Sequence, residues 1–320
     1  ILAVNPNVIV VLSNASAVAM PWKEQVKGIF ECFMAGQGMG LAVARLLYGQ
    51  VNPSGRLPVS FTRRLEDTSA YFFFPGDKVR VTYGEGVFVG YRYYDVKQTD
   101  VLYPFGYGLS YTSFSYTDMR LEKPVFEKGD EIFQVSMCLK NTGDRAGAEV
   151  VQLYIGMFDT VVKRPQKELK GFRKVYLEPG EETRVVFTLQ KKDFAYYDVR
   201  YREWVVPEGE YGILLGASSR DILLEGSVQV IPDRKHRKAL SGWSKMGELR
   251  ETPAGERYFH RIVQELSEYM PEKTIFWEKK DLDDSKKIDQ MPLRLVNLLS
   301  GGRINNDKIL QWIEEVNLER

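Results

Sequence analysis

The sequence is poor in the residues on which most covalent catalysis and metal chemistry depend. Its 320 residues hold two cysteines, Cys32 and Cys138, and two histidines, His236 and His260. Two cysteines in different parts of the chain build neither a disulfide framework nor a four-ligand zinc site, so both are expected as buried thiols and no metal site is expected. Both histidines fall in a polar C-terminal stretch, which removes Ser-His-Asp and Cys-His machinery from the rest of the chain. Charge of one sign is lacking too. Lys and Arg number 44 against 43 Asp and Glu, a net charge of +1, which leaves no field to attract nucleic acid or an anionic membrane surface. No run of about 18 apolar residues is present to cross a bilayer. The chain opens at Ile1 inside an apolar, strand-like stretch, without an initiator Met or a signal-like segment, and this reads as a start within a domain. The scarcity of cysteine favours the cytoplasm.

What is present describes a multi-domain globular chain. The hydrophobic fraction of 44% and charged fraction of 27% lie near the globular average, and the length suits two or three units of about 100 to 150 residues. From Ile1 to about Tyr48, short continuous apolar runs (NVIVVLSN, GIFECFM) alternate with helical stretches (PWKEQV, GLAVARLLYG). Continuous apolar strands followed by helices are what a parallel sheet covered on both faces requires, so this part is α/β. Pro21 suits the first turn of a helix and Gly49 the stop of one. With only two or three strands visible, the sheet is expected to lack neighbours and to expose apolar surface. Residues from Gln50 to about Thr117 are rich in Pro, Gly and aromatics and read as a structured connector.

Between Asp118 and Pro232 the period changes to two. In EIFQVSMCLK the side chains of Phe133, Val135, Met137 and Leu139 share one face, and further runs with turn signals such as NTGD and EPGE follow. About seven short strands point to a two-sheet antiparallel sandwich of the immunoglobulin or fibronectin type, without a Cys-Trp-Cys signature. Phe133, Val135, Leu153, Ile155, Val185, Phe187 and Leu214 are predicted to lie inside. After Pro232 the pattern turns helical, with Phe259, Ile262, Val263 and Leu266 on one face, glycines after LRLVNLLS as a stop, and Asn306 or Asp307 as a cap for a last helix. EKKDLDDSKK reads as solvated loop. The domains are therefore expected at 1–117, 118–232 and 233–320.

Three glycine-rich stretches fail as phosphate sites. AGQGMG (Ala35 to Gly40) has Leu41 where a dinucleotide fingerprint needs a small residue, and no placed acidic partner. YGEGVFVGY has Gly90 one position too late for a kinase loop, and VNPSGR lacks a Gly-Lys-Ser/Thr ending. All three are expected as turns.

Taken together in order, NPNVIVVLSNASAVAMPW with AGQGMG, LLYGQVNPSGRLPVSF, YGEGVFVGYRYYD with LYPFGYGLSYTSF, and VVQLYIG, RPQKELKGFRKVYLEPGE and FTLQKKDFAYYD resemble the second half of family 3 glycoside hydrolases of the β-glucosidase type. The resemblance covers roughly Ile1 to Ile231, and the tail from about Lys245 is similar to extensions on some bacterial members. It implies part of an α/β sandwich with a mostly parallel sheet, a fibronectin type III-like sandwich and a small helical tail. It also implies retaining hydrolysis of a β-linked glucoside or oligosaccharide without a cofactor, by a protein that could form homo-oligomers. The resemblance places the nucleophilic Asp in a barrel and the acid/base Glu in a loop before the strand equivalent to NVIVVLSN, so neither is expected in this chain.

Within the chain, the candidate carboxylate is Glu85, flanked by glycines and aromatics that would desolvate it and raise its pKa as a general acid requires. Arg92 and Asp95 lie close in sequence, and a structural ion pair holding the connector is the competing use. Tyr83, Tyr91 and Arg92 are the candidate substrate contacts. The aromatic runs Tyr71 to Phe74 and Tyr91, Tyr93 and Tyr94 could stack on sugar, but packing between domains is the expected role of most of them. The alternative function is a non-catalytic carbohydrate-binding or scaffolding module built on the sandwich.

Overall fold

The apolar runs at the start of the chain pair as parallel strands. In the computed structural model, which describes residues 1–157, 162–199, 202–233, 239–274 and 277–318, β1 (Ile9–Leu12) lies parallel to β2 (Gly28–Glu31), with Ile9 opposite Gly28 and Leu12 opposite Glu31. PWKEQV, read as a helix, forms only one 3₁₀ turn over Lys23–Gln25, and Pro21 lies ahead of it. The run is too short to offset the cost of nucleating an α-helix. Helix α1 (Met39–Leu47) ends where the sequence indicates, at Gly49 with φ of 67° and its N–H on the Leu46 carbonyl. Strands and helix are only partly covered. Ile9 is 51% exposed, Val11 38% and Leu41 64%, and α1 has no buried residue.

The connector is coil held by two short strands, β3 (Phe61–Thr62) antiparallel to β4 (Val101–Tyr103), and by α2 (Tyr91–Lys97) between them. The sequence pattern gave no helix at Tyr91, because a tyrosine-rich stretch has modest helix propensity and here no side-chain cap. The backbone supplies the ends instead: Gly90 at φ of 60° starts α2 and Gln98 in the left-handed region stops it.

The sandwich follows the period-two reading. Its strands are β5 (Phe114–Leu121), β6 (Val125–Phe126), β7 (Phe133–Asn141), β8 (Gly147–Met157), β9 (Glu168–Leu177), β10 (Glu182–Leu189), β11 (Tyr196–Asp198), β12 (Glu203–Val205), β13 (Gly209–Gly216) and β14 (Ile222–Val230). One sheet has the order β10-β7-β5 and faces another of order β6-β14-β13-β8-β9, while β11 and β12 form a separate hairpin. Two details differ from expectation. The strand β6 runs parallel to β14, so the sandwich is not wholly antiparallel. Strand β5 begins before Asp118, which sits at φ of 50° in an irregularity of that strand.

Phe133, Val135, Leu153, Ile155, Val185 and Phe187 are buried in the core between the sheets. Leu214 is buried as well, but its neighbours Ile213 and Leu215 belong to that core and it does not. Alternation turns Leu214 to the other face of the sheet, with Gln152 and Tyr154. That face is covered by the connector. Gln152 donates to the carbonyls of Gly106 (3.1 Å) and Ala217 (2.7 Å) and accepts from the Tyr154 hydroxyl (2.6 Å). Gly106 is required at this approach, because its φ is 80° and a Cβ there would lie 2.1 Å from the Gln152 amide oxygen.

Residues Ile1–Asp198 and Glu203–Arg234 form one compact unit, and Val199–Arg202 with Lys235–Arg320 a second. The second contains α3 (Met246–Leu249), α4 (Pro253–Tyr269), α5 (Ser285–Asp289), α6 (Leu295–Leu299) and α7 (Asn306–Leu318). Thr252 caps α4 by accepting from the Gly255 N–H at 3.0 Å, with Pro253 in the first turn. Phe259, Ile262 and Leu266 pack into the core of this unit with Val263 at its margin, and Ile309, Ile313 and Val316 of α7 join them. The cap of α7 is Asn305 rather than Asn306 or Asp307, its side chain accepting from the Lys308 N–H at 2.9 Å. EKKDLDDSKK is not simply solvated loop: it holds a 3₁₀ turn and α5, and its neighbourhood buries Leu282 and Ile288. His260 is exposed on α4, 3.2 Å from Glu256, and His236 lies outside the described residues. Among the described residues no helix is long and apolar enough to cross a membrane.

Candidate functional site

The segment from Tyr71 to Gly90 is shaped by two close approaches that only glycine allows. At Gly76, φ is 81° and a Cβ would stand 2.2 Å from the Arg80 carbonyl oxygen. This closes a turn in which Asp77 accepts from the N–H groups of Val79 (2.8 Å) and Arg80 (2.7 Å). Those two backbone donors hold the Asp77 carboxyl below its ordinary pKa. At Gly84 the backbone lies on the Phe73 ring, with a Cβ position 2.2 Å from the nearest ring carbon. The glycine therefore fixes its flanking residues. Tyr83 projects outward, 82% exposed, while Glu85 is half-buried with one carboxylate oxygen covered and without a protein donor. Phe88 ends the segment with its ring 5.9 Å from the Lys163 ammonium.

The other sequence candidates are turned to structural use. Tyr91 stacks on Phe105 at 4.8 Å and meets Tyr154 edge-on at 6.0 Å, and its hydroxyl accepts from the Leu169 N–H at 2.8 Å. Burial pushes its phenol up. Arg92 pairs with Glu168 at 3.2 Å, not with Glu85. Asp95 is buried between Lys167 (2.8 Å) and Arg220 (3.2 Å), and Arg220 also donates to the carbonyls of Tyr94 and Thr99. The ion pairs expected around the connector exist, but with partners from the sandwich. Tyr94 packs inside, as expected of most of these rings. Phe72 and Phe74 do not, and stand exposed.

Sequence reasoning passed over Arg56 and Glu149. Both side chains are buried, and one guanidinium nitrogen donates to both carboxylate oxygens at 2.8 and 2.7 Å. The 93-residue separation leaves no local signal for this pair. Cys32 and Cys138 are half-buried rather than buried, and burial raises the Cys32 thiol, assisted by Glu31. Among the described residues no group of three or more His, Cys, Asp or Glu is placed to hold a metal ion.

Chemically, the segment offers one uncommitted carboxylate, Glu85, among aromatic rings. The acids nearest Glu85 in sequence, Asp77 and Asp95, are committed to a turn and to ion pairs. Residues 1–111, which include this whole segment, match the model of the glycosyl hydrolase family 3 C-terminal domain. This part of the chain is a glycosyl hydrolase family 3 C-terminal domain. Residues 149–219, from β8 into the turn after β13, match the fibronectin type III-like domain.

Among similar proteins, thermostable β-glucosidase B of Acetivibrio thermocellus is 41% identical over 98% of this chain and 41% of its own length. An exo-α-(1→6)-L-arabinopyranosidase of Bifidobacterium breve is 42% identical over 80% of this chain and 33% of its own. The crystal structure of a family 3 β-glucosidase from Bifidobacterium adolescentis superposes with a TM-score of 0.73 at 40% identity, over 80% of this chain and 38% of that one. The chain thus spans less than half the length of these relatives.

Proposed function

We propose that this chain forms the C-terminal part of a retaining β-glucosidase, with residues 1–117 supplying part of an α/β sandwich and the connector, 118–232 the fibronectin type III-like domain and 233–320 a helical extension. The observation that carries the reading is the 41% identity to a β-glucosidase over nearly the entire chain. A retaining mechanism needs two carboxyl groups about 5 to 5.5 Å apart, one as nucleophile and one as proton donor and acceptor. In this reading both belong to protein outside the chain, and Glu85 is not one of them. The similarity to an arabinopyranosidase at the same level of identity supports placing the choice of the cleaved sugar outside the chain as well.

The test is hydrolysis of an aryl β-glucoside, read as release of the aryl alcohol, by the 320-residue chain, alone and mixed with the separately expressed N-terminal part of a close relative. No turnover is expected alone and measurable turnover on mixing. General acid help by itself is worth only about a hundred- to ten-thousand-fold, too little to replace a nucleophile. Turnover by the chain alone that disappears in Glu85→Gln would overturn the assignment.

A further inference from the structure

We propose that the segment from Tyr71 to Gly90 carries a saccharide subsite, in which Tyr83 stacks on a pyranose ring and the Glu85 carboxylate accepts hydrogen bonds from ring hydroxyls. This rests on the glycoside-processing reading and adds to it a contact for a sugar other than the one cleaved.

Three observations support it. First, the contact is fixed in place, since the Gly84 backbone seated on Phe73 and the Phe88 N–H on the Glu85 carbonyl (3.1 Å) hold Tyr83 and Glu85 on a defined turn. Second, Glu85 has unused acceptor capacity. Its Oε2 is covered without a protein donor, its other oxygen is not covered, and neither forms an ion pair, although Arg92 lies seven positions on. A carboxylate in that state is relieved by turning its head group, through its side-chain rotamers, toward a ligand that brings O–H donors. Third, the donor should be neutral. Lys78 and Arg80 stand exposed in the same segment and disfavour an ammonium or guanidinium donor, whereas the open Tyr83 ring favours a ligand with an apolar face. A pyranose supplies an apolar C–H face and several neutral hydroxyls together. Tyr91 and Arg92 are excluded from this subsite because ring, hydroxyl and guanidinium are already engaged in packing.

The experiment is saturation-transfer difference NMR on the full chain with cellobiose as probe. Transfer to the sugar is expected, about three- to tenfold weaker in Tyr83→Ala and in the near-isosteric Glu85→Gln, and retained in Tyr83→Phe, which keeps the ring. Absence of transfer to the unsubstituted chain, or transfer in either Tyr83→Ala or Glu85→Gln equal to that of the unsubstituted chain, overturns the proposal. Cellobiose binding by a chain that gives no turnover with its N-terminal counterpart would leave the subsite standing and remove the β-glucosidase reading, so the two fail separately.

Discussion

The sandwich and the N-terminal strand pair are built from similarly apolar sequence, yet one is closed and the other open. In the sandwich, alternate residues of β7, β8, β10 and β13 meet across two sheets, and the buried Asn141 amide is fully bonded. Asn141 accepts from Thr112 Oγ1 (2.7 Å) and the Gly143 N–H, and donates to the carbonyls of Arg145 and Leu177. In the strand pair, Ile9 and Val11 of β1 and Leu41 and Leu47 of α1 remain exposed. Hydrophobic composition alone therefore does not produce a core. A two-stranded parallel sheet has two open edges and two faces, and one helix cannot cover them.

The sharpest test of the contrast is the buried ion pair that ties the connector to the sandwich. Arg56→Ala should destabilise the first unit by about 3–5 kcal/mol in urea unfolding, because it leaves Glu149 charged, buried and unpaired. Loss of less than about 1 kcal/mol would mean that the connector is not part of the folded unit.

A second comparison substitutes matching residues in the two regions. Leu153→Ala, in the core between the sheets, should cost about 2–5 kcal/mol, whereas Ile9→Ala on the open strand should stay within about 0.5 kcal/mol. The chain should also associate and bind an apolar dye, and Ile9→Thr combined with Leu41→Gln should reduce both. A monodisperse monomer without dye binding would show that the strand pair needs no cover.

The smallest effect concerns Asp118, whose carboxyl is held below its ordinary pKa by Arg120 and Arg184. A lowered folded-state value means that its contribution is present above the unfolded value of about 3.9 and is lost as pH falls through the folded value. The melting temperature of Asp118→Asn should therefore lie slightly below that of the unsubstituted chain near neutral pH, and the two should converge in acid. A gap that persists at low pH would assign the effect to the unusual backbone at Asp118 instead.

Much of this was legible beforehand where the signal is local. Period-two alternation in EIFQVSMCLK marked the buried faces, and the double glycine after LVNLLS marked a helix end. Where the signal was read wrongly, another force prevailed. PWKEQV was too short to nucleate, α2 was set by Gly90 and Gln98 rather than by helix formers, and EKKDLDDSKK kept Leu282 for the core despite its charges. For the candidate site, the sequence marked Glu85, Tyr83, Tyr91 and Arg92 by type and company. Packing between domains was the expected role of most of these rings, but nothing local named Leu169 and Glu168 as the partners of Tyr91 and Arg92.

By itself, then, the sequence determined the strand alternation, the turn glycines, the helix stops marked by glycine and the resemblance to a family, because each depends on residues close together or on motifs in fixed order. Only the tertiary structure decided which ionisable groups are neutralised. Arg92 with Glu168, Asp95 with Lys167 and Arg220, and Arg56 with Glu149 join residues 72 to 125 positions apart, and a charge finds its partner by the geometry of packed sheets rather than by proximity in the chain. The same packing, by drawing Arg92 away, left Glu85 without a protein partner.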